Sequence, residues 1–384
     1  MKIAIVNPLE SSQYRVVNHF ILGLESGLKK IGIEVARFDI NKIDKNTLDT
    51  IEQGAPDLIL TFFVTGKNSI NLFEGIKTQV FYFSIDSPEY FIDSIKNLDY
   101  FVSLRDTFSY EVAKQMGLKK VLLLPHAADN DFSTPIEKER PYDIVFFGTA
   151  LSKDIGESLL VDYPIPIQEA VLRAVDLNLS NPYATHYDSL IESLKMDARI
   201  SREMLQKIDL SKLLQMVEIK IRSKDKINLL SAFKEHTVHI FGSDRLNSDW
   251  KETLKGNFIF HPEIPFDEVL KVMSQSKIVL NSVPTIRFGG HERLFYAYQM
   301  GALPFTTFTP FADKEFRPGE NILVYYPPDY NDLDKMADSV LKDESKRKAM
   351  VESGRAVVKN KHTWDIRAQE LINQLNHFEP FSSR

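Results

Sequence analysis

The chain has 384 residues, of which 43% are hydrophobic and 26% charged, with a formal net charge of −6 and no cysteine. That length exceeds one typical domain and suits two, and the balance is that of a globular protein able to bury real cores. The acidic charge argues against nucleic acid as the main partner, and the missing cysteines exclude disulfides and thiolate metal sites.

The opening MKIAIVNPLE carries an apolar run too short for a secretory leader and reads as a first strand, KIAIVN (2–7). A helical stretch from about Arg15 to Lys30 follows, then IEVARFDI (33–40), DLILTFFV (57–64), TQVFYFSI (78–85), DYFVSL (99–104) and KVLLLP (120–125). Runs apolar at nearly every position suit strands covered on both faces, and their alternation with helix-length segments predicts a doubly wound α/β fold. A polar, punctuated stretch (122–141) marks a boundary near residue 138. Alternation restarts with YDIVFFG (142–148), and a charged helical insert over about 150–235 interrupts it. It resumes with TVHIFG (237–242), NFIFHP (257–262), KIVLNSV (277–283), ALPFTT (302–307) and NILVYYP (321–327), and two helical segments close the chain. No stretch reaches the roughly 18 apolar residues of a membrane span, so a cytoplasmic location is expected.

Two Rossmann-like halves are therefore expected, 1–138 and 139–362. In open α/β sheets ligands bind beyond the carboxyl ends of the strands. That rule selects Asn7 to Ser12, Thr65 to Lys67, Asp86, Arg105 and His126 in the first half. In the second it selects Gly148, Gly242, the loop from Ser282 to Arg293, Thr306 to Pro310, and Tyr326.

Within that loop, FGGHERLFYAYQMGALPFTT (288–307) predicts a helix from about Glu292 to Met300, stopped by Gly301. A helix N-terminus favours anions, and Gly289 and Gly290 leave backbone N–H groups approachable. Arg287, His291 and Arg293 add cationic or donor groups, enough to hold a diphosphate without a metal. Glu292 is placed to accept hydrogen bonds from sugar hydroxyls. The plainer reading of Glu292 and Arg293 is an acid complementing the helix dipole and a solvated charge.

KIVLNSVPTIRFGGHERLFYAYQMGALPFTT, FADKEFRPGENILVYYP and HTWDIRAQELI resemble, in order and spacing, the C-terminal half of the CgeB-like (spore-maturation type) glycosyltransferases. YDIVFFGT, HIFG, SIDSP and LLLPHAAD extend the resemblance upstream. It implies the GT-B fold: two Rossmann-like domains facing across a cleft, the helical insert in the second, and a last helix (363–384) packed back on the first. It also implies a nucleotide-sugar donor bound by Gly148, Gly242, Arg287, His291, Glu292, Arg293 and Tyr326, beside the approachable Gly289 and Gly290, and an acceptor that is a glycan, lipid or protein. Many retaining relatives of this fold place a glutamate five positions before the helix-terminal glycine, where this chain has Tyr296. Glu292, one turn earlier on the same face, is the substitute available.

Asp86, directly after an apolar strand, is a candidate general base for an acceptor hydroxyl, and a helix N-cap is its structural alternative. His126 is a second candidate catalytic residue, or a packed one. Two D-x-D patterns, Asp129 to Asp131 and Asp332 to Asp334, lack the strand-end setting of a metal–diphosphate site, so no metal and no cofactor beyond the donor are expected. Two rivals share the architecture: a nucleotide-sugar epimerase, and an inactive nucleotide- or glycan-binding scaffold, which the Tyr296 departure favours. A nicotinamide dehydrogenase is disfavoured because no G-x-G-x-x-G follows the first strand.

Overall fold

The computed structural model describes residues 1–8, 16–40, 44–62, 73, 75–136, 139–152, 154–242, 250–254, 256–378 and 381. Leu9 to Ser12, Thr65 to Lys67 and the boundary near residue 138, all singled out from sequence, lie outside the described residues. The chain divides into two compact units, Met1–Phe132 with Val358–Arg384, and Ser133–Val357.

The first unit runs β1 (Lys2–Pro8), α1 (Val16–Lys30), β2 (Glu34–Ile40), α2 (Lys45–Gln53), β3 (Leu58–Thr61), β4 (Gln79–Phe83), α3 (Ile92–Ile95), β5 (Phe101–Leu104), α4 (Thr107–Gln115) and β6 (Val121–Leu123). Its strands form one parallel sheet in the order β2-β1-β3-β4-β5-β6. Ile3, Ala4, Ile5 and Val6 are all essentially buried, which is why β1 is apolar at successive positions instead of alternating. Asp44 and Asp106 cap α2 and α4 by accepting backbone N–H bonds from Thr47 and Ser109.

The second unit runs β7 (Tyr142–Phe147), α5 (Glu157–Leu160), α6 (Ile165–Ser180), α7 (His186–Met196), α8 (Arg202–Lys207), α9 (Leu210–Ala232), β8 (Val238–Phe241), α10 (Trp250–Thr253), β9 (Phe258–His261), α11 (Phe266–Ser274), β10 (Ser276–Asn281), α12 (Glu292–Gln299), β11 (Leu303–Thr307), α13 (Pro310–Glu315), β12 (Leu323–Tyr325) and α14 (Leu333–Leu341). Its parallel sheet has the order β12-β11-β10-β7-β8-β9. Each strand read from the sequence is present.

The unit has two cores. Leu213, Leu214, Val217 and Ile221 of α9 pack with α6 and α7 in a helical core, whereas Leu229 and Leu230 of the same helix pack with the sheet. The insert therefore ends part-way along α9, and the rest of that helix is the crossover between β7 and β8.

From α14 the chain enters α15 (Glu344–Lys361), which carries it back to the first unit, and ends in α16 (Trp364–Leu375). Helix α16 lies tightly on α1. A Cβ at Gly23 would fall 2.3 Å from Trp364 Cδ1, and one at Gly27 would fall 2.8 Å from the Trp364 carbonyl oxygen. Trp364 is 1% exposed and packs on Phe20 and Phe83, with ring centroids 5.0 and 6.0 Å away. Thr363 holds the N-cap position of α16 but makes no side-chain capping bond.

Candidate active site

The order of the second sheet reverses between β7 and β10: β8 and β9 follow on one side of β7, and β11 and β12 on the far side of β10. The carboxyl ends of two strands that diverge in this way leave a crevice where α/β sheets bind ligands. Gly148 and Thr149 leave β7 there, and Asn281 and Ser282 leave β10.

Three cations converge on that crevice. Lys226, on α9, is 5% exposed and donates from Nζ to the Thr149 carbonyl at 3.1 Å. Burial, followed by the charges of Arg222 and Arg293, pushes its pKa well below the ordinary lysine value. Arg222 stands one turn before Lys226, 3.7 Å from Glu218. Arg293, in the first turn of α12, donates from Nη1 to Asn281 Oδ1 at 2.9 Å, and burial and Arg222 pull its pKa down against Glu292. Among the described residues neither Lys226 nor Arg293 has a carboxylate within ion-pair distance. Cations held this way repel each other and are stabilised by an anion.

Arg287, expected to hold diphosphate, is only 2% exposed. Its Nη2 donates to Asn178 O at 2.8 Å and to Asn178 Oδ1 at 3.2 Å, so it fastens the end of α6 to the loop before α12. Burial pulls its pKa down to about 10, against the opposing charge of Asp225. Asp225, fully enclosed, accepts from Ser282 Oγ at 2.5 Å and from the hydroxyls of Tyr325 and Tyr330 at 2.7 Å each. Since Tyr325 spends its proton on Asp225, Thr307 Oγ1 donates to Tyr325 at 2.8 Å and itself accepts from Val283 N at 2.9 Å. This directed chain locks the loop that leaves β10.

Packing leaves no room for a side chain at two of the site's glycines, Gly242 and Gly290. A Cβ at Gly242 would lie 1.9 Å from the Gly148 carbonyl oxygen, and one at Gly290 would lie 2.1 Å from Phe295 Cζ and 2.8 Å from Phe311 Cε1. Gly289 is buried beside it. His291 is the N-cap of α12: its Nδ1 accepts from Arg293 N at 3.2 Å. The same Nδ1 lies 3.0 Å from Glu292 Oε2. One nitrogen cannot accept from the backbone N–H and donate to the carboxylate at once, so the cap and the ion pair are alternatives. Tyr296 is fully buried, edge-on to Phe266 of α11, and faces the core. Glu292, in the first turn of α12, keeps a side chain 15% exposed. Tyr326 is half exposed and stacks on Phe308.

In the first unit, Asp86 follows β4 in a loop held from two sides. Arg105 donates to Ile85 O at 2.9 Å and to Ser87 Oγ at 2.7 Å, and Ser84 Oγ donates to Asp86 O at 2.9 Å. The N-cap position of the short helix that follows belongs to Ser87, so capping does not account for Asp86. His126 is 4% exposed, with its ring 5.2 Å from Phe20. In the second D-x-D pattern, Asp334 Oδ2 accepts from the backbone of Lys234 and Glu235, and Asp332 pairs with Lys335. Among the described residues no group of three or more His, Asp or Glu side chains could hold a metal ion, and no helix is long and apolar enough to cross a membrane.

Arg222 and Lys226 were missed by sequence reasoning because they fall within the segment read as insert. The available signal was a pair of cations four residues apart, hence on one helix face, near the end of a helix that precedes a strand.

Residues 222–373 match the protein-family model described as glycosyl transferase-like. The match opens on Arg222 and spans Lys226, Asn281 and the His291–Arg293 turn. No protein of curated function matches the chain. Three similar solved structures are HepE (Alr3699) of Anabaena, in complex with UDP and glucose, sucrose-phosphate synthase of Thermosynechococcus elongatus, and AviGT4, a glycosyltransferase involved in avilamycin A biosynthesis. The first is 12% identical with a TM-score of 0.55, over 98% of this chain and 100% of HepE. The second is 12% identical with a TM-score of 0.56, over 100% of both chains. The third is 11% identical with a TM-score of 0.53, over 100% of this chain and 99% of AviGT4. The shared feature is the fold, two parallel six-stranded units of the GT-B type; the glycosyl transferase-like segment of this chain covers much of the second and ends within α16 of the first.

Proposed function

We propose that the chain is a glycosyltransferase that moves a sugar from a nucleotide donor bound by the second unit to an acceptor, and that the order of its motifs makes it a CgeB-like member of the GT-B enzymes. The observation that carries this reading is the convergence of Arg222, Lys226 and Arg293 at the β7/β10 crevice. In glycosyl transfer the acceptor oxygen bonds to the anomeric carbon as the bond from that carbon to the diphosphate breaks. Negative charge grows on the leaving group, and fixed cations in a partly dry site stabilise it most effectively. The α12 N-terminus adds its dipole to the same charge. Asp86 of the first unit is the carboxylate we assign to the acceptor proton, and Glu292 the one we assign to donor hydroxyls. These cations supply the neutralisation that a divalent metal provides elsewhere, so chelator should leave transfer intact.

Structures of HepE hold UDP and UDP-glucose, which makes UDP sugars the first probes. The test is a melting and turnover panel of UDP-, GDP-, dTDP- and CMP-sugars with chelator present. A donor at about a hundred times its Kd stabilises the fold by roughly 2.7 kcal/mol, a clear shift in Tm. One nucleotide class should shift the melt and be slowly hydrolysed. Lys226→Ala and Arg293→Ala should each weaken binding by about 30-fold or more, as expected for removing a buried charge partner. If no nucleotide sugar moves the melt, the transferase reading fails.

A further inference from the structure

The residues that follow β11 and β12, Phe308 and Tyr326, stack with ring centroids 4.7 Å apart and planes 21° from parallel. A third ring arrives from the insert: Tyr183 meets Phe308 edge-on at 6.3 Å. Phe308 is 6% exposed, whereas Tyr326 is 50% and Tyr183 61% exposed. One buried ring thus supports two open ones, at the carboxyl edge where this type of sheet binds its ligands.

The placement of Tyr183 is built into the fold. In the turn after α6, Tyr183 N donates to Asn181 Oδ1 at 3.0 Å, and Asn178 Nδ2 donates to Ala184 O at 3.1 Å. Asn178 is also the residue gripped by Arg287. A buried arginine therefore fastens the tyrosine turn to the loop that ends in α12. On the other side, Phe311 N donates to Arg287 O at 3.1 Å, tying the chain that carries Phe308 to the same arginine.

Burial raises the Tyr326 pKa, and the charge of Asp313 on α13 and the Tyr183 phenol add to it. Two phenols and a carboxylate accept hydrogen bonds from hydroxyl groups, and the carboxylate disfavours phosphate. Exposed aromatic faces with polar tips suit a ligand that is apolar on one face and polar at its rim. A pyranose ring has that form.

We propose that Tyr183 and Tyr326 form a platform for a sugar ring of a neutral glycan acceptor. The proposal rests on the glycosyl-transfer reading and narrows its acceptor to carbohydrate, with the insert supplying half of the contact. The test titrates the full chain with maltotriose, cellotriose and chitotriose, without nucleotide, by saturation-transfer NMR and calorimetry. At least one trisaccharide should bind saturably. Tyr183→Ala should weaken that binding about tenfold, a loss of about 1.4 kcal/mol, while retaining the parent's melting curve and its response to nucleotide sugar. The Tyr183→Ala/Tyr326→Ala double variant should abolish it.

The proposal is overturned if none of the three binds, or if the double variant binds them like the parent. It is equally overturned if the double variant instead loses a response to UMP, because the rings then hold a base. The nucleotide-sugar response measured on the same samples, and its dependence on Lys226, judges the transfer reading separately.

Discussion

Asp86 and Arg105 were read from sequence as two separate ligands, and the fold makes one the support of the other. Arg105 is 8% exposed and spends two nitrogens on Ile85 and Ser87, so the backbone on either side of Asp86 is fixed. A general base contributes typically 10²- to 10⁴-fold, so Asp86→Asn should cut transfer by about 10² or more with donor affinity unchanged. Arg105→Ala should lower kcat through a displaced carboxylate with donor affinity unchanged, whereas Arg105→Lys should restore part of the rate. Normal turnover by Asp86→Asn would remove it from the mechanism. Arg287 carries the same lesson. An arginine just after a strand reads identically whether it meets phosphate or a buried carbonyl, and only the position of Asn178, 109 residues away, decides.

At the scale of elements, the strands were legible because burial on both faces leaves runs such as Ile3–Val6 and Leu58–Leu60 without polar interruption. The helix α12 and its stop at Gly301 were legible from capping chemistry. The dual allegiance of α9 was not, because a helix that serves two cores shows no break in its own sequence where one core gives way to the other. Lys226 was hidden with it. The pairing of α16 with α1 is testable directly. Gly23 faces Trp364 with no room for a methyl group, so Gly23→Leu should destabilise the first unit by about 1–3 kcal/mol as an overpacked contact. Near-ultraviolet circular dichroism of the tryptophans and chemical denaturation would report it. An unchanged midpoint would mean the helices separate at little cost.

For the molecule as a whole, acid stability offers a third check. His239 Nδ1 and His261 Nε2 lie 2.9 Å apart on adjacent strands, and His261 stacks on Phe241 with ring centroids 4.2 Å apart. Burial, then His261, holds the His239 pKa below the ordinary 6.5, with Asp143 opposing, and burial lowers that of His261 as well. Between the depressed folded values and 6.5 the unfolded chain binds more protons than the folded one. The pair's contribution to stability is therefore greatest above pH 6.5 and falls as the solution is acidified through that window. Asp225, whose pKa burial raises, acts in the opposite sense, so the pair must be isolated by variants. In His239→Gln/His261→Gln the stability difference between pH 7 and pH 5 should shrink relative to the parent. An unchanged difference would place the acid sensitivity elsewhere.

Helix α9 has 23 residues, about 35 Å of rigid rod at 1.5 Å per residue. Its first half is clamped in the insert and its far end in the sheet, with Lys226 about three-quarters of the way along. A rod gripped at both ends transmits force: a tilt of about 5° at the sheet end displaces the far tip by about 3 Å. The insert is accordingly a handle on the cation, and any partner that seizes the outer helices also takes hold of the charge beneath the crevice.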